Sequence, residues 1–425
     1  MRFSSFLVLI VIAILLACSS KKKVVEPKNQ SSLYNPGTTY LHPQFEVFHE
    51  REDLSQLIVG INTDELLFNQ ANPKNVLQAS ISVQYKLIDI TNNPSSKDIA
   101  DSATVSQKLE KVPGKNLKVI SFPIKASYGK TYSLKFILTD SLRKVRQTNY
   151  IFVNKLNKYS GQNFKVTSRL DDLPIFRNFV VPNELVHIVN SQPNIKQYFI
   201  KYRKDDTPLP PPPFSVQVEP NYNFKQDSLW VFNYNSKQTY LFQYKGLYLI
   251  QTDTTKADGL LLTNPGPGFP KVNEPEMMIP PLEYLTTTDE FNTLKKIDNN
   301  KLAIDNFWLK SGGSVDMARE MIRIYYNRMF YANLFFTSYK QGWKTDRGMI
   351  YMVFGPPSYM TKDALSETWE YYVKQDASNL TITFTKTPSP YSENHYVMQR
   401  SDAFTRFWRN AIDSWRKGKA YSLEE

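Results

Sequence analysis

Between residues 41 and 158 the chain alternates apolar and polar side chains, and turn-forming clusters repeatedly interrupt the alternation. In Ala79-Ser80-Ile81-Ser82-Val83-Gln84-Tyr85-Lys86-Leu87, one face carries Ala, Ile, Val, Tyr and Leu. The other carries Ser, Ser, Gln and Lys. Successive strand side chains point to opposite faces, so this pattern buries one face of an antiparallel sheet and wets the other. Gln56–Asn62, Gln78–Ile90, Ala103–Leu109, Leu117–Lys125, Thr131–Thr139 and Val145–Asn154 are all rich in strand-forming residues. Asn92-Asn93-Pro94, Pro113-Gly114 and Tyr128-Gly129 separate them. Short strands between regular turn signals predict an immunoglobulin-like β-sandwich over 41–158. With one Cys in the chain, it is a disulfide-free one.

Residues 159–284 continue the strand pattern, at Phe164–Ser168, Leu185–Asn190, Gln197–Arg203, Leu229–Asn233, Thr239–Tyr244 and Leu247–Thr252. A second β-sandwich is expected, with a hairpin turn around Gly246. Pro208 and Pro210 to Pro213 form a stiff polyproline II connector between strands. Pro- and Gly-rich sequence at 264–270, then Pro280-Pro281, places a boundary near 284.

Residues 285–425 mix helices with strands. Asp289–Asp298 reads as a short helix, and Ser314 as the N-cap of a long one. Ala318, Ile322, Tyr325, Met329, Ala332 and Phe336 recur at three or four residues and form one apolar face. Phe330, Leu334 and Phe335 extend it to a second side. Strands are expected at Gly348–Phe354, Thr368–Lys374 and Leu380–Thr387, and a final helix at Ala403–Lys417. The fold class is therefore multidomain: two all-β modules followed by an α/β (α+β) domain.

The N-terminus is of another kind. Phe6 to Ala17 is an uninterrupted run of twelve apolar residues after Arg2. That suits a signal-peptide core better than a span, which needs ~20 residues. Leu15-Leu16-Ala17-Cys18 resembles the bacterial lipobox. The resemblance implies cleavage before Cys18, lipidation of its thiol and anchoring in a membrane. Residues 18–40, with Lys, Ser, Asn, Pro and Gly37, read as a flexible tether. Lys21-Lys22-Lys23 follows, without an Asp directly after the Cys. That is compatible with the outer membrane, facing the periplasm.

The whole chain carries a net charge of +12. Residues 18–160 hold 20 basic against 12 acidic residues, residues 161–284 are balanced at 12 each, and 285–425 hold 19 against 16. The excess lies close to the expected anchor, where an anionic surface favours it. No basic cluster is longer than Lys21–Lys23, and no nucleic-acid partner is expected.

One stretch is sharply specific: Gly342-Trp343-Lys344-Thr345-Asp346-Arg347-Gly348-Met349-Ile350-Tyr351-Met352-Val353-Phe354-Gly355-Pro356-Pro357. It resembles the signature of the GWxTD domain family, with Trp369 and its aromatic neighbours downstream and Arg328, Ala332 and Asn333 upstream. The resemblance covers 285–425. It implies a cell-envelope lipoprotein of Bacteroidota-type bacteria, without an assigned activity.

Read physically, Gly342 and Gly348 suit close backbone approach, and Gly355-Pro356-Pro357 ends a strand. Thr345 caps a turn, and Asp346 accepts backbone amides. Arg347 offers a fork to Asp346, Glu367 or Glu370. Trp343 packs against Arg328 or Arg347. Two uses fit these residues: a fold-defining corner, or a binding site built on exposed Trp343 and Tyr351.

No catalytic residue is assigned. His42, His49, His187 and His395 are scattered, and no HExxH, P-loop or GxSxG occurs. No metal ligand set and no cofactor are expected. An acid/base pair of Asp346 and Glu370 is the weaker enzymatic alternative, as in a cell-wall hydrolase. The expected function is a non-enzymatic, lipid-anchored scaffold or accessory subunit for envelope protein machinery. The alternative is a glycan- or peptide-binding lipoprotein using the aromatic surface of the GWxTD domain.

Overall fold

The computed structural model describes residues 29–35, 37–70, 76–216, 222–372 and 379–421. The expected signal peptide and Cys18 lie outside the described residues. Among the described residues the strands form five antiparallel sheets, and the α-helices all come after residue 274. Among the described residues, no helix is long and apolar enough to cross a membrane.

The first module contains β1 (Gln44–Arg51), β2 (Leu54–Asn62), β3 (Gln78–Asp89), β4 (Ile99–Glu110), β5 (Leu117–Lys125), β6 (Lys130–Asp140) and β7 (Val145–Lys155). They form two sheets, ordered β1-β2-β5 and β4-β3-β6-β7. In β3, Ala79, Ile81, Val83, Tyr85 and Leu87 are buried, the set the period-two reading selects. They meet Leu57, Val59, Leu134, Phe136 and Leu138 in one core. Strand β1 was not legible in the sequence, because Glu46, His49 and Glu50 interrupt its apolar run.

The second module contains β8 (Phe164–Ser168), β9 (Leu185–Asn190), β10 (Gln197–Arg203), β11 (Ser228–Asn233), β12 (Thr239–Leu241), β13 (Gly246–Gln251) and β14 (Leu260–Asn264). Its sheets run β12-β9-β8 and β11-β10-β13-β14. The hairpin expected around Gly246 does not form. β12 pairs with β9, whereas β13 pairs with β10 and β14 in the other sheet. Gly246 is there for space: a Cβ on it would lie 2.4 Å from the Arg203 carbonyl oxygen.

The C-terminal region contains α1 (Thr288–Lys295), α2 (Asn300–Gly312), α3 (Val315–Phe336), α4 (Asp346–Phe354), the sheet β15 (Tyr359–Lys362), β16 (Ser366–Tyr371), β17 (Leu380–Lys386), β18 (Tyr396–Met398), and α5 (Thr405–Arg416). Its core already takes in Ile279, Leu282 and Tyr284. The Ser314 hydroxyl caps α3 by accepting from the Met317 amide. The face of α3 set by Ala318, Tyr325, Met329, Ala332 and Phe336 is buried. Of the extra apolar residues, Phe335 packs on the core and Leu334 stays exposed.

Two further expectations are corrected. Gly348–Phe354 is helix α4, not a strand. Every residue of α4 is buried, so the run shows no polar side and carries no 3.6-residue signature. Within the expected tether, residues 29–35 are packed rather than free. The Gln30 amide donates to the Met360 carbonyl at 2.8 Å, beside edge strand β15. Tyr34 is buried against Phe336 and Trp369. The proline run lies between β10 and β11 and docks on the C-terminal core. Leu209 and Phe214 pack there, and the Ser401 amide donates to the Pro213 carbonyl at 3.1 Å.

Candidate functional site: the corner built by the motif

Helix α3 ends where the motif begins. The Thr337 hydroxyl donates to the Asn333 carbonyl and accepts from the Gly342 amide. The Asn333 side-chain oxygen accepts from the Trp343 amide at 3.2 Å. Gly342 and Lys344 bound a short 3-10 turn whose backbone lies directly on α3. A Cβ on Gly342 would sit 1.9 Å from the Ala332 carbonyl oxygen. One on Gly348 would sit 1.9 Å from the Gly342 carbonyl oxygen. Both glycines serve close approach, as their sequence context suggests. They stack the first turn of α4 on the 3-10 turn, and the 3-10 turn on α3.

Thr345 is the N-cap of α4. Its hydroxyl accepts from the Gly348 amide at 3.0 Å and donates to the Gly342 carbonyl at 2.7 Å. Asp346 opens α4, where the helix dipole favours an anion. Its carboxylate accepts from the Met398 amide at 2.7 Å and from both Arg400 terminal nitrogens, at 2.6 and 3.2 Å. At the other end, the Gly355 backbone at φ 84° lets the Arg328 guanidinium come close. Arg328 donates to the Met352 and Val353 carbonyls, which closes the C-terminus of α4. Gly355-Pro356-Pro357 thus ends a helix, not a strand, and the Gly355 carbonyl accepts from the Tyr371 hydroxyl.

Arg347 is 1% exposed and Glu367 0%. Their atoms Nη1 and Oε1 lie 2.7 Å apart. Of the three acids the sequence offered, Glu367 is the partner, Asp346 belongs to Arg400, and Glu370 lies on β16 opposite Tyr359. Glu367 also accepts from Lys362 at 2.8 Å, the Tyr34 hydroxyl at 2.8 Å and the Trp369 indole at 3.1 Å. Arg347 spends its other terminal nitrogen on Asn394. Burial works to raise the Glu367 carboxyl, but the Lys362 and Arg347 charges outweigh it and hold the group down to about 2.

Trp343 and Tyr351 are 3% and 2% exposed. The Trp343 ring meets Tyr284 and the Lys344 ammonium, not Arg328 or Arg347. Arg328 instead covers Trp415, and Arg347 covers Phe336 and Tyr396. The Tyr351 hydroxyl donates to the Tyr34 carbonyl. The exposed aromatic surface that ligand binding at this motif requires is not formed.

Sequence reasoning missed Tyr34, Lys362, Asn394 and Arg400. Each is contributed by a distant segment, and no local spacing marks it. Among the described residues, no group of three His, Cys, Asp or Glu side chains is placed to hold a metal ion.

His395 is buried near this corner, with the Tyr222 and Tyr339 rings edge-on to it. Burial first, then the charges of Lys340, Arg347 and Lys386, pull its imidazole down to about 3. The unfolded chain takes up that proton near pH 6.5, so between pH 6.5 and 3 the unfolded state holds more protons. Stability of the C-terminal domain therefore falls as pH is lowered, by about 1.4 kcal/mol per unit. Below pH 4.5, protonation of Glu367 in the unfolded state adds to the loss. Urea unfolding followed by tryptophan fluorescence checks this. His395→Phe flattens the profile from pH 6.5 to 4.5 and leaves only the shallower Glu367 decline below it. An unchanged slope in the variant refutes the assignment.

The fold and the corner define a β-rich chain ending in an α+β domain organised around a buried glycine, threonine and ion-pair motif. Residues 246–417 match the family model of the GWxTD domain, so the chain contains that domain. The match begins at β13 and so reaches into the second module. No curated protein matches the sequence. Among solved structures, Bacteroides uniformis β-glucuronidase aligns at 10% identity with a TM-score of 0.17, over 28% of this chain and 15% of its own. β-Glucuronidase 2 of Bacteroides uniformis, covalently bound to cyclophellitol-6-carboxylate aziridine, aligns with the same values. The chain thus spans a small fraction of these enzymes, and the likeness defines no shared fold.

Proposed function

We propose that this protein is a lipid-anchored component of the cell envelope, held in the outer membrane facing the periplasm. In this reading it acts without catalysis, as a scaffold or accessory subunit for envelope protein machinery. One observation carries the non-enzymatic part. The charged and aromatic groups of the motif are buried and matched to one another, with Arg347 on Glu367 and Asp346 on Arg400. Groups so engaged serve to hold a shape. The sheet orders β1-β2-β5 and β4-β3-β6-β7 support reading the first module as an immunoglobulin-like sandwich, a common spacer and contact module.

The docked N-terminal segment adds a geometric consequence. Cys18 precedes Asn29 by eleven residues. At ~3.3–3.6 Å per residue, that chain reaches at most about 40 Å. An anchor on Cys18 therefore keeps the GWxTD domain close to the membrane, although it is last in sequence. The domain and the anchor then present one composite face to partners.

The test uses the full-length tagged protein in its own envelope. Cys18→Ala moves it from the membrane to the soluble fraction and removes incorporation of an alkyne-labelled fatty acid. Persistent acylation of that variant refutes the anchor. Mild-detergent purification recovers a stoichiometric partner chain with the wild type. Recovery of the protein alone, across detergents that keep other envelope complexes intact, counts against the scaffold role.

A further inference from the structure

Exposed apolar side chains of the first module gather at one end of it. Strands β2, β4 and β6 finish at this end, and β3, β5 and β7 start there. Tyr40, Leu67, Val76, Leu77 and Val112 lie on the segments around it, each between 42% and 59% exposed. Contacts join them into one surface. The Lys111 amide donates to the Leu77 carbonyl at 3.0 Å, which sets Val112 beside Leu77. Asn69 pairs with Gln78, and the Lys111 ammonium lies 5.5 Å over the Phe68 ring, so the Leu67 segment runs alongside. The Leu67 amide and the Arg143 amide both donate to the Asp140 carboxylate, and the Arg143 guanidinium lies 5.2 Å over the Tyr40 ring. Aliphatic side chains held out to water by neighbouring loops mark a contact surface.

The charge around this patch narrows what covers it. Residues 108–118 hold four Lys and one Glu, and residues 143–146 two Arg and one Lys with no acid. The other acids are Asp64, Glu65 and the fully buried Asp140, so cations outnumber acids by seven to four. Aliphatic tips inside a ring of cations match a bilayer surface with anionic headgroups. The tips enter the acyl boundary, the lysines stay among the phosphates, and a tyrosine sits between the two. An acidic peptide would answer the cations and leave the tips wet. Tyr40 also follows Asn35, the end of the docked N-terminal segment, by five residues, a span of at most about 18 Å. The apolar end is thus close to the segment that leads back to Cys18.

We propose that this end of the first module docks on an anionic lipid surface, with Leu67, Leu77 and Val112 in the headgroup–acyl boundary and Lys111, Lys115 and Lys144 on lipid phosphates. The choice of lipid as partner rests on the membrane-anchored reading above. Docking gives the tethered chain a second membrane contact, and with it a fixed orientation.

The test uses the chain from Ser19 onward, which keeps every described residue and contains no thiol. Val112→Cys, labelled with the environment-sensitive fluorophore NBD, is mixed with vesicles of phosphatidylglycerol and phosphatidylcholine in equal parts, or of phosphatidylcholine alone. The label brightens on the anionic vesicles and is quenched by lipids spin-labelled near the headgroup. The same label at Leu170→Cys, an exposed leucine of the second module, does neither. Leu67→Asn/Leu77→Asn lowers the affinity of the Val112-labelled chain for anionic vesicles about 10-fold, with unchanged circular dichroism. Lys115→Gln and Lys118→Gln lower it about 5-fold each and leave the neutral vesicles unaffected. No response at Val112, an equal response at Leu170, or undiminished affinity in the double leucine variant overturns the proposal. Brightening with protein concentration alone also overturns it and makes the patch a contact between two copies. Acylation of Cys18 is scored separately by the fatty-acid label, so failure here leaves the anchor standing and failure of the anchor leaves this docking readable.

Discussion

Gly348→Ala is expected to prevent the C-terminal domain from folding while the two β modules still fold. The added methyl would lie 1.9 Å from the Gly342 carbonyl oxygen and 2.8 Å from the Trp343 Cα. Neither is the mobile end of a side chain. The Gly342 backbone cannot retreat, because its own Cα already touches α3, with the Ala332 carbonyl oxygen 1.9 Å from where a Cβ would be. Relief would require pulling α4 off the 3-10 turn and losing the Thr345 cap and the Asp346 pairing together. The cost lies at or above the ~3 kcal/mol upper end of ordinary overpacking. Gly114→Ala makes the comparison. Gly114 has φ 76° with nothing within 4 Å of an added Cβ. It should cost only the ~1–2 kcal/mol of placing an L-residue in the left-handed region. Near-ultraviolet circular dichroism and tryptophan fluorescence follow the C-terminal domain, which holds Trp308, Trp343, Trp369, Trp408 and Trp415. A native signal in Gly348→Ala would show that the three layers have slack the geometry denies.

Arg347→Met comes next in size, at about 3–5 kcal/mol of stability, the usual cost of leaving one partner of a buried pair behind. The methionine fills much of the volume, so the loss reads the charge. Glu367 keeps Lys362, Tyr34 and Trp369 but loses its shortest contact, at 2.7 Å. Arg347→Met/Glu367→Leu should be less destabilised than the two single changes summed, since neither charge is then stranded. Glu367 also holds the N-terminal segment through the Tyr34 hydroxyl. Glu367→Gln should therefore expose residues 29–35 to protease before the domain unfolds. Full stability in Arg347→Met, with loss of a binding function, would make the motif a ligand site and remove the structural account.

Much of the β architecture was readable because alternation is a local signal. Leu117–Lys125, Phe164–Ser168, Leu185–Asn190 and Gln197–Arg203 are strands with the bounds that pattern and turn residues set. The signal failed where burial was complete. Met349 to Phe354 is apolar throughout, and an element buried all round shows neither period. The cues that identify α4 as a helix were present at its ends, Thr345 as N-cap and Gly355-Pro356-Pro357 as stop, but strand and helix both end at prolines. The Gly246 turn failed for a different reason. Local sequence marks a reversal of the chain, and it does not say which sheet the next strand joins.

The residues themselves determined the period-two strands, the amphipathic face of α3 and the identity of a motif whose glycines demand close contact. They also offered three nearby acids, Asp346, Glu367 and Glu370, as candidate partners of Arg347. Tertiary structure alone decided that Glu367 is the one, that Asp346 turns to Arg400, and that Tyr34 returns from the N-terminus to complete the corner. The reason is distance along the chain. Local steric and hydrophobic rules act within a few residues, whereas a buried ion pair is selected by which segments the whole fold brings within hydrogen-bonding reach.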